Sequence, residues 1–199
     1  MMTPAPASPQ RTPPRRAPVV TRDLSARDRE ALVEHFLALG TEDRRLRFGM
    51  AIADEALRAY VARIDFARDA LFGVFNRKLR LVGVAHVAVE DDCAELGISV
   101  LPRYRGRGIG GALLERAHLY ARNHGIRTLL MHCLAENTPM MHLARRQGMQ
   151  VVTAGGEAAA QVAVAPADAA SRIGELVATQ VGLFDFALKA LVRAARGGG

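Results

Sequence analysis

Cysteine is scarce in this sequence, and long apolar runs are missing. Two cysteines among 199 residues can neither staple a secreted scaffold nor complete a four-ligand zinc site. No stretch approaches the ~20 consecutive apolar residues needed to cross a bilayer, which argues against a transmembrane helix. No Gly-Lys-Ser/Thr follows a glycine-rich loop, so a P-loop is excluded. No internal repeat is visible, which removes solenoids and propellers. What is present suits one ordinary domain with short extensions: half of the residues are hydrophobic and 24% are charged. Lys and Arg number 27 against 20 Asp and Glu, a formal charge of +7. That balance favours an anionic partner without naming it.

Much of the excess charge sits outside the expected fold. Residues 1–18 hold six of the nine prolines together with Arg11, Arg15 and Arg16. A segment of this composition buries too little to offset its ordering entropy and is expected to be a disordered, solvated arm. It has no apolar core of a secretory signal. Setting the arm aside weakens any case for nucleic-acid binding by overall charge, and neither a nucleic-acid nor a membrane partner is expected.

From Val19 the pattern becomes globular. Ser25 caps a first helix carrying Leu32, Phe36 and Leu39, which Gly40 closes. An arginine-rich link (Arg44, Arg45, Arg47) leads to a second helix over Asp54 to Ala62. Ala70 to Phe75 and Leu79 to Val89 flank Asn76-Arg77-Lys78 and predict an antiparallel hairpin. Ala94 to Val100 forms a third strand, Ile109 to Asn123 a helix ended by Gly125, and Arg127 to Leu134 another strand. Thr138 to Gln147 is a short helix opened by Pro139. Met149 to Thr153 is a strand that Gln161 to Ala165 can pair with. Ala167 to Arg196 is Ala/Leu-rich and helical, with Ile173, Leu176, Val177, Leu183, Phe184 and Leu188 left to dock on the core or on a second chain. The expected organisation is an arm (1–18), a mixed α/β domain (19–166) and a helical extension (167–199).

The strongest chemical signal runs from Val100 to Gly111. A strand end is followed by Arg103, Arg105 and Arg107, by closely spaced glycines at 106, 108, 110 and 111, and by an apolar-periodic helix. Glycines let backbone amides turn toward a ligand, and the helix start presents unpaired N–H groups and its positive dipole end to the same point. A phosphate or pyrophosphate is the implied ligand. Gly106, Gly108 and Gly111 also satisfy G-x-G-x-x-G, but Leu101 to Arg105 separate them from the strand and the hairpin upstream is antiparallel. That context does not fit a dinucleotide fold. A glycine-rich helix entry without any ligand is the bland alternative.

Arg105-x-x-Gly108-x-Gly110 resembles the Q/R-x-x-G-x-G/A signature of the GNAT acyl-CoA N-acetyltransferase superfamily. The order of elements from Val19 to Val152 is similar as well. More narrowly, Thr41 to Phe48, Ile64-Asp65-Phe66 and Glu136-Asn137-x-x-Met140-x-x-Leu143-Ala144 resemble the GNAT domain of bacterial protein lysine acetyltransferases. The resemblance implies a mixed, mostly antiparallel sheet flanked by helices and a cytoplasmic enzyme. It implies direct transfer from acetyl-CoA to an amine, a protein lysine in the narrower likeness, with no metal. An amino acid or another small amine as acceptor, or a non-catalytic domain that senses acetyl-CoA, are the alternatives.

The same resemblance distributes roles. Backbone groups of Ile98, Ser99 and Val100 would hold pantetheine and the thioester carbonyl. Arg105, Gly106, Arg107, Gly108, Ile109, Gly110 and Gly111 would hold the pyrophosphate. Asn137 would contact the cofactor arm, or cap the helix that follows it. A lysine amine at pH 7 must lose a proton at a cost of about 4.6 kcal/mol, so a base is required. Glu95 is the candidate, with apolar neighbours expected to raise its pKa; a solvated glutamate paired to arginine is the other reading. Many GNAT enzymes carry a tyrosine where Ala144 stands here, so that general acid is missing. Water can protonate the departing thiolate; His142 is a stand-in by position, but a helical histidine is more often a surface or packing residue. Cys133 is expected to be a buried structural thiol, and His86, His132 and Cys133 do not form a metal spacing.

Overall fold

The computed structural model describes residues 17–197, and all but Ala17 and Pro18 of the expected arm lies outside them. Seven strands form one sheet in the order β1-β2-β3-β4-β5-β7-β6. They are β1 (Arg22–Asp23), β2 (Ala70–Phe75), β3 (Leu81–Glu90), β4 (Cys93–Val100), β5 (Thr128–Leu134), β6 (Gln150–Ala154) and β7 (Glu157–Ala163). Helices are α1 (Arg29–Leu37), α2 (Thr41–Phe48), α3 (Asp54–Arg63), α4 (Ile109–Asn123), α5 (Thr138–Arg146) and α6 (Ala169–Gly197). Every strand pair is antiparallel except β4 with β5.

β2 and most of β3 are buried along their whole length, as central strands covered on both faces must be. On one face lies α4, whose Ile109, Leu113, Leu114, Ala117 and Ala121 are buried. On the other, Phe36 of α1 stacks edge-on with Phe48 and Tyr60, at ring separations of 5.7 and 5.6 Å. These rings clamp α1, α2 and α3 together.

Two elements differ from the sequence-based expectation. The arginine-rich link is the helix α2. It has only two apolar residues to show periodicity, but Glu42 and Asp43 lie in its first turn and Arg45 and Arg47 in its last, which matches the helix dipole. Arg44 locks its ends, donating to the carbonyls of Leu39 (3.0 Å) and Leu37 (3.0 Å) and to Asp54 (2.6 Å). β1 is the second addition, and its two residues are too few to show alternation.

Candidate active site

β4 pairs with β5 only through Cys93↔Thr128, Ala94↔Leu129 and Glu95↔Leu130. Beyond Glu95 the two strands part, and β4 runs on to Val100 beside β3 alone. The parting opens a cleft between two cavities. The larger, of about 920 Å³, is bounded by the far end of β4, the start of α4, and α5. The smaller, of about 590 Å³, lies over Glu95, His132, Cys133 and the β6–β7 end of the sheet. Arg47 of α2 contributes to both walls.

Ten of the twelve singled-out residues border the larger cavity: Ile98, Ser99, Val100, Arg105, Gly106, Gly108, Ile109, Gly110, Gly111 and Asn137. Gly106 and Gly108 take φ of 69° and 84°, the left-handed region that side chains with a Cβ avoid. This geometry turns the chain into α4, whose first turn has no intrahelical partners for its amides. At Gly110 an added Cβ would stand 3.4 Å from Leu143 Cδ2, so the residue's size keeps α4 and α5 close. A cradle of backbone donors at a helix start suits a pyrophosphate, and the long cavity suits an extended cofactor arm.

The arginines behave differently from expectation. Arg105 donates from Nε to the Val100 carbonyl (3.0 Å) and pairs with Asp43 (2.7 Å), so it braces the loop with part of its charge already met. Arg107 is not on the cavity wall; its guanidinium lies over the Tyr104 ring, 5.3 Å from the centroid. Arg146 of α5 does stand on that wall, and the sequence pattern does not single it out. The pair Arg145-Arg146 is visible in the sequence, but only the packing of α5 beside α4 brings one of them to the cavity.

Side chains of the other candidates are largely committed to the protein. The Ser99 hydroxyl bonds His35 Nε2 (2.8 Å), while His35 Nδ1 reaches the Leu81 carbonyl (3.2 Å). In register with Val84, and two residues before the Leu101 amide that donates to the Val82 carbonyl (2.9 Å), Ser99 turns its backbone to β3, which leaves Ile98 and Val100 facing the open edge of β4. Burial lowers the His35 pKa to about 4, with the backbone bond to Leu81 opposing the shift. Asn137 caps α5 by accepting from the Met140 amide (3.3 Å), and its Nδ2 donates to the Leu46 carbonyl of α2 (3.3 Å). Ala144 is buried, and His142 is exposed at the cavity rim.

Glu95 corrects an expectation. Its side chain is 61% exposed in the smaller cavity, with His132 Nδ1 3.6 Å away, rather than enclosed by apolar neighbours. Alternation along β4 explains this: Ala94, Leu96 and Ile98 are buried, while Glu95 points the other way. Cys133 is only half-buried and shares the cavity, with its thiol pKa raised by burial. Among the described residues no group of three His, Cys, Asp or Glu side chains could hold a metal ion.

Beneath the cleft runs a hydrogen-bonded chain that the sequence does not reveal. Arg47 Nη2 donates to the Tyr60 hydroxyl (3.3 Å), Tyr60 to His86 Nδ1 (2.6 Å), and His86 Nε2 to Asp69 (2.9 Å). With this tautomer the Tyr60 hydroxyl and both ring nitrogens of His86 are paired. Burial lowers the His86 pKa, and the Asp69 carboxylate works against that shift. The buried Nε of Arg47 has no hydrogen-bond partner among the described residues.

Comparison with known proteins bears on this geometry. The sequence profile of the Acetyltransferase (GNAT) family matches residues 30–149. Among solved structures, the chain is similar to the GNAT domain of S. lividans PAT, with TM-score 0.62 and 20% identity over 72% of this chain and 89% of that one. It is similar to a phosphinothricin acetyltransferase from Sinorhizobium meliloti in complex with AcCoA, with TM-score 0.60 and 17% identity over 76% and 94% of the two chains. The ribosomal-protein-S18-alanine N-acetyltransferase from Escherichia coli gives TM-score 0.57 and 20% identity over 75% and 96%.

Proposed function

Since the chain belongs to the GNAT acetyltransferase family, we propose that it transfers acetyl from acetyl-CoA to the side-chain amine of a protein lysine, acting in the cytoplasm. The observation that carries this reading is the parting of β4 and β5 between two cavities that meet at Arg47. An acyl donor lying in the larger cavity would bring its thioester to the cleft, and an amine arriving through the smaller cavity would meet it there. Transfer then needs no covalent enzyme intermediate, only proximity and proton removal.

Each part of the chain has a task in this reading. The Arg105 amide donates to the Pro102 carbonyl (3.2 Å), so the backbone amides at the entry to α4, from Arg107 to Gly111, hold the diphosphate. The unpaired edge of β4 from Ile98 to Val100 aligns the pantetheine arm and donates to the thioester carbonyl as negative charge builds on its oxygen. Glu95 takes a proton from the incoming ammonium, directly or through a water. Its exposure favours an acceptor that reaches in from solvent, such as a lysine on another protein, over a small amine sealed in a pocket. The thiolate leaves and takes its proton from water, since Ala144 cannot supply one. The neighbour named as a ribosomal-protein-S18-alanine N-acetyltransferase acts on a protein, so the fold accommodates an acceptor of that size.

A panel of acceptors tests the reading. Lysine peptides, peptides with free α-amines, amino acids and simple amines would each be incubated with acetyl-CoA, with released thiol measured and products located by mass spectrometry. Acetylation on lysine Nζ is expected. Preference for α-amines or for free small molecules would replace the lysine proposal, and absence of turnover with retained binding would point to a sensor.

A further inference from the structure

α6 is amphipathic the wrong way round for a helix that ends a domain. Its inner face is largely polar and bonded to the core, with Phe186 packed edge-on against Phe75 (4.9 Å) as its large apolar contact. Arg116 of α4, almost fully buried, pairs with Glu175 (2.9 Å) and with Asp23 of β1 (2.9 Å). Asn123 donates to Glu175 (2.8 Å), Thr179 to Asp23 (2.8 Å), and Lys189 to the Phe75 carbonyl (2.8 Å). At Gly182 an added Cβ would collide with the Thr21 carbonyl oxygen, so the helix lies directly on the chain there. These contacts fix its rotation.

The other large apolar side chains consequently face away from the domain. Nine large ones are exposed along α6, including Ile173 (62%), Leu176 (62%), Phe184 (73%), Leu188 (50%) and Leu191 (69%). Counting about 100 Å² for each, the stripe offers about 900 Å², against roughly 800 Å² per partner in a standard stable interface. It exceeds the largest apolar patch of about 300–600 Å² found on a typical monomer.

We propose that a second copy of this chain covers the stripe, the two α6 helices packing antiparallel about a two-fold axis at the level of Gly182. The stripe is balanced about that point. In this arrangement Ile173 of each copy faces Leu191 of the other, and Leu176 faces Leu188. Antiparallel packing also brings the basic C-terminal turn with Arg196 toward Asp168, the carboxylate that accepts from the Ser171 amide (2.7 Å) at the start of α6 and is paired within its own chain to Arg122 (2.6 Å). A parallel pair would instead align like charges at both ends. A lipid surface fits less well, because such helices carry Lys and Arg along their polar border. The arginines of α6 stand only at its ends (Arg172, Arg193 and Arg196); along the stripe between them the charged residues are Glu175, Asp185 and Lys189, and Lys189 is turned inward onto Asp185 and Phe75. The proposal is independent of the acceptor and of acetyl transfer.

Sedimentation equilibrium on the full chain is the test. Twice the chain mass of 21.5 kDa is expected at micromolar concentration, and a single mass for Phe184→Glu/Leu188→Glu, with unchanged circular dichroism because both side chains are exposed. Register is read in a Cys93→Ser/Cys133→Ser background. Ile173→Cys and Leu191→Cys proteins should cross-link on oxidation when mixed, and neither alone. A wild-type monomer at every concentration, a double variant that still dimerises, or cross-linking of either cysteine protein by itself would overturn the proposal. So would a monomer that floats with vesicles containing anionic lipid.

Discussion

The guanidinium of Arg47 lies against the α-carbon of Gly97, at the point where the two cavities meet. A Cβ built on Gly97 would stand 2.6 Å from Nη1 and closer still to Cζ and Nη2. β3 places His86 opposite Gly97 in register, and His86 holds the Tyr60 hydroxyl that receives Arg47. One glycine thus makes room for a cation anchored through two further side chains, in the middle of the candidate site.

Gly97→Ala should therefore be an activity variant more than a stability variant. The displaced group is the far end of a flexible side chain, so the melting midpoint should fall by less than overpacking a rigid core would demand, about 1–3 kcal/mol. The guanidinium must leave the junction, and kcat/KM should drop about tenfold, or about 1.4 kcal/mol in transition-state free energy. Steady-state kinetics beside a chemical melt separates the two. Full activity in the Gly97→Ala enzyme would show that the contact has no bearing on catalysis.

Glu95→Gln should lower kcat by about 10²–10⁴, the usual contribution of a positioned base. Glu95 borders the smaller cavity and not the larger, so acetyl-CoA affinity by calorimetry should be unchanged. Weaker donor binding in step with lost turnover would assign Glu95 to the donor site instead.

Gly108→Ala should cost about 1–2 kcal/mol in stability, because its φ of 84° is left-handed. The entry to α4 would shift, and acetyl-CoA should bind about tenfold more weakly. Gly125 also has positive φ, 78°, but at the far end of the same helix. Gly125→Ala should show a comparable stability loss with donor affinity intact, and equal affinity losses in both variants would contradict the assignment of the cradle.

His35 makes the fold acid-sensitive in a defined window. Above about pH 6.5 it is neutral in both folded and unfolded chains. Between there and its folded value of about 4, only the unfolded chain takes up the proton, so stability falls as pH falls. Below that value the contribution levels off, at a loss of about 3 kcal/mol. Chemical melts of the wild type and His35→Gln across pH 4–7 should show a shallower slope in the variant. Identical slopes would move the sensitivity elsewhere.

How much is legible in the sequence depends on where each signal comes from. Ile109 to Asn123 is recognisable as a helix because its apolar spacing is local, and Gly106 and Gly108 because glycine's freedom from a Cβ is a property of the residue itself. Arg44, Arg45 and Arg47 reveal nothing of α2, since a helix held by charge pairs and carbonyl contacts carries little apolar periodicity. Tyr60, His86 and Asp69 are scattered along the chain, and only sheet register and helix packing assemble them behind Arg47. The exposure of Glu95 is likewise invisible: alternation tells that neighbours on β4 face opposite sides, but not which side is covered. The same holds for α6, whose amphipathic pattern is plain while its rotation is set by Arg116, Glu175 and Asp23 from three separate elements. Local chemistry thus determined most of the elements and the glycine turn into α4, because backbone conformation and helix ends depend on adjacent residues. Which side chains meet, and which face is left to solvent, was decided by tertiary packing, because those contacts join residues distant in the chain.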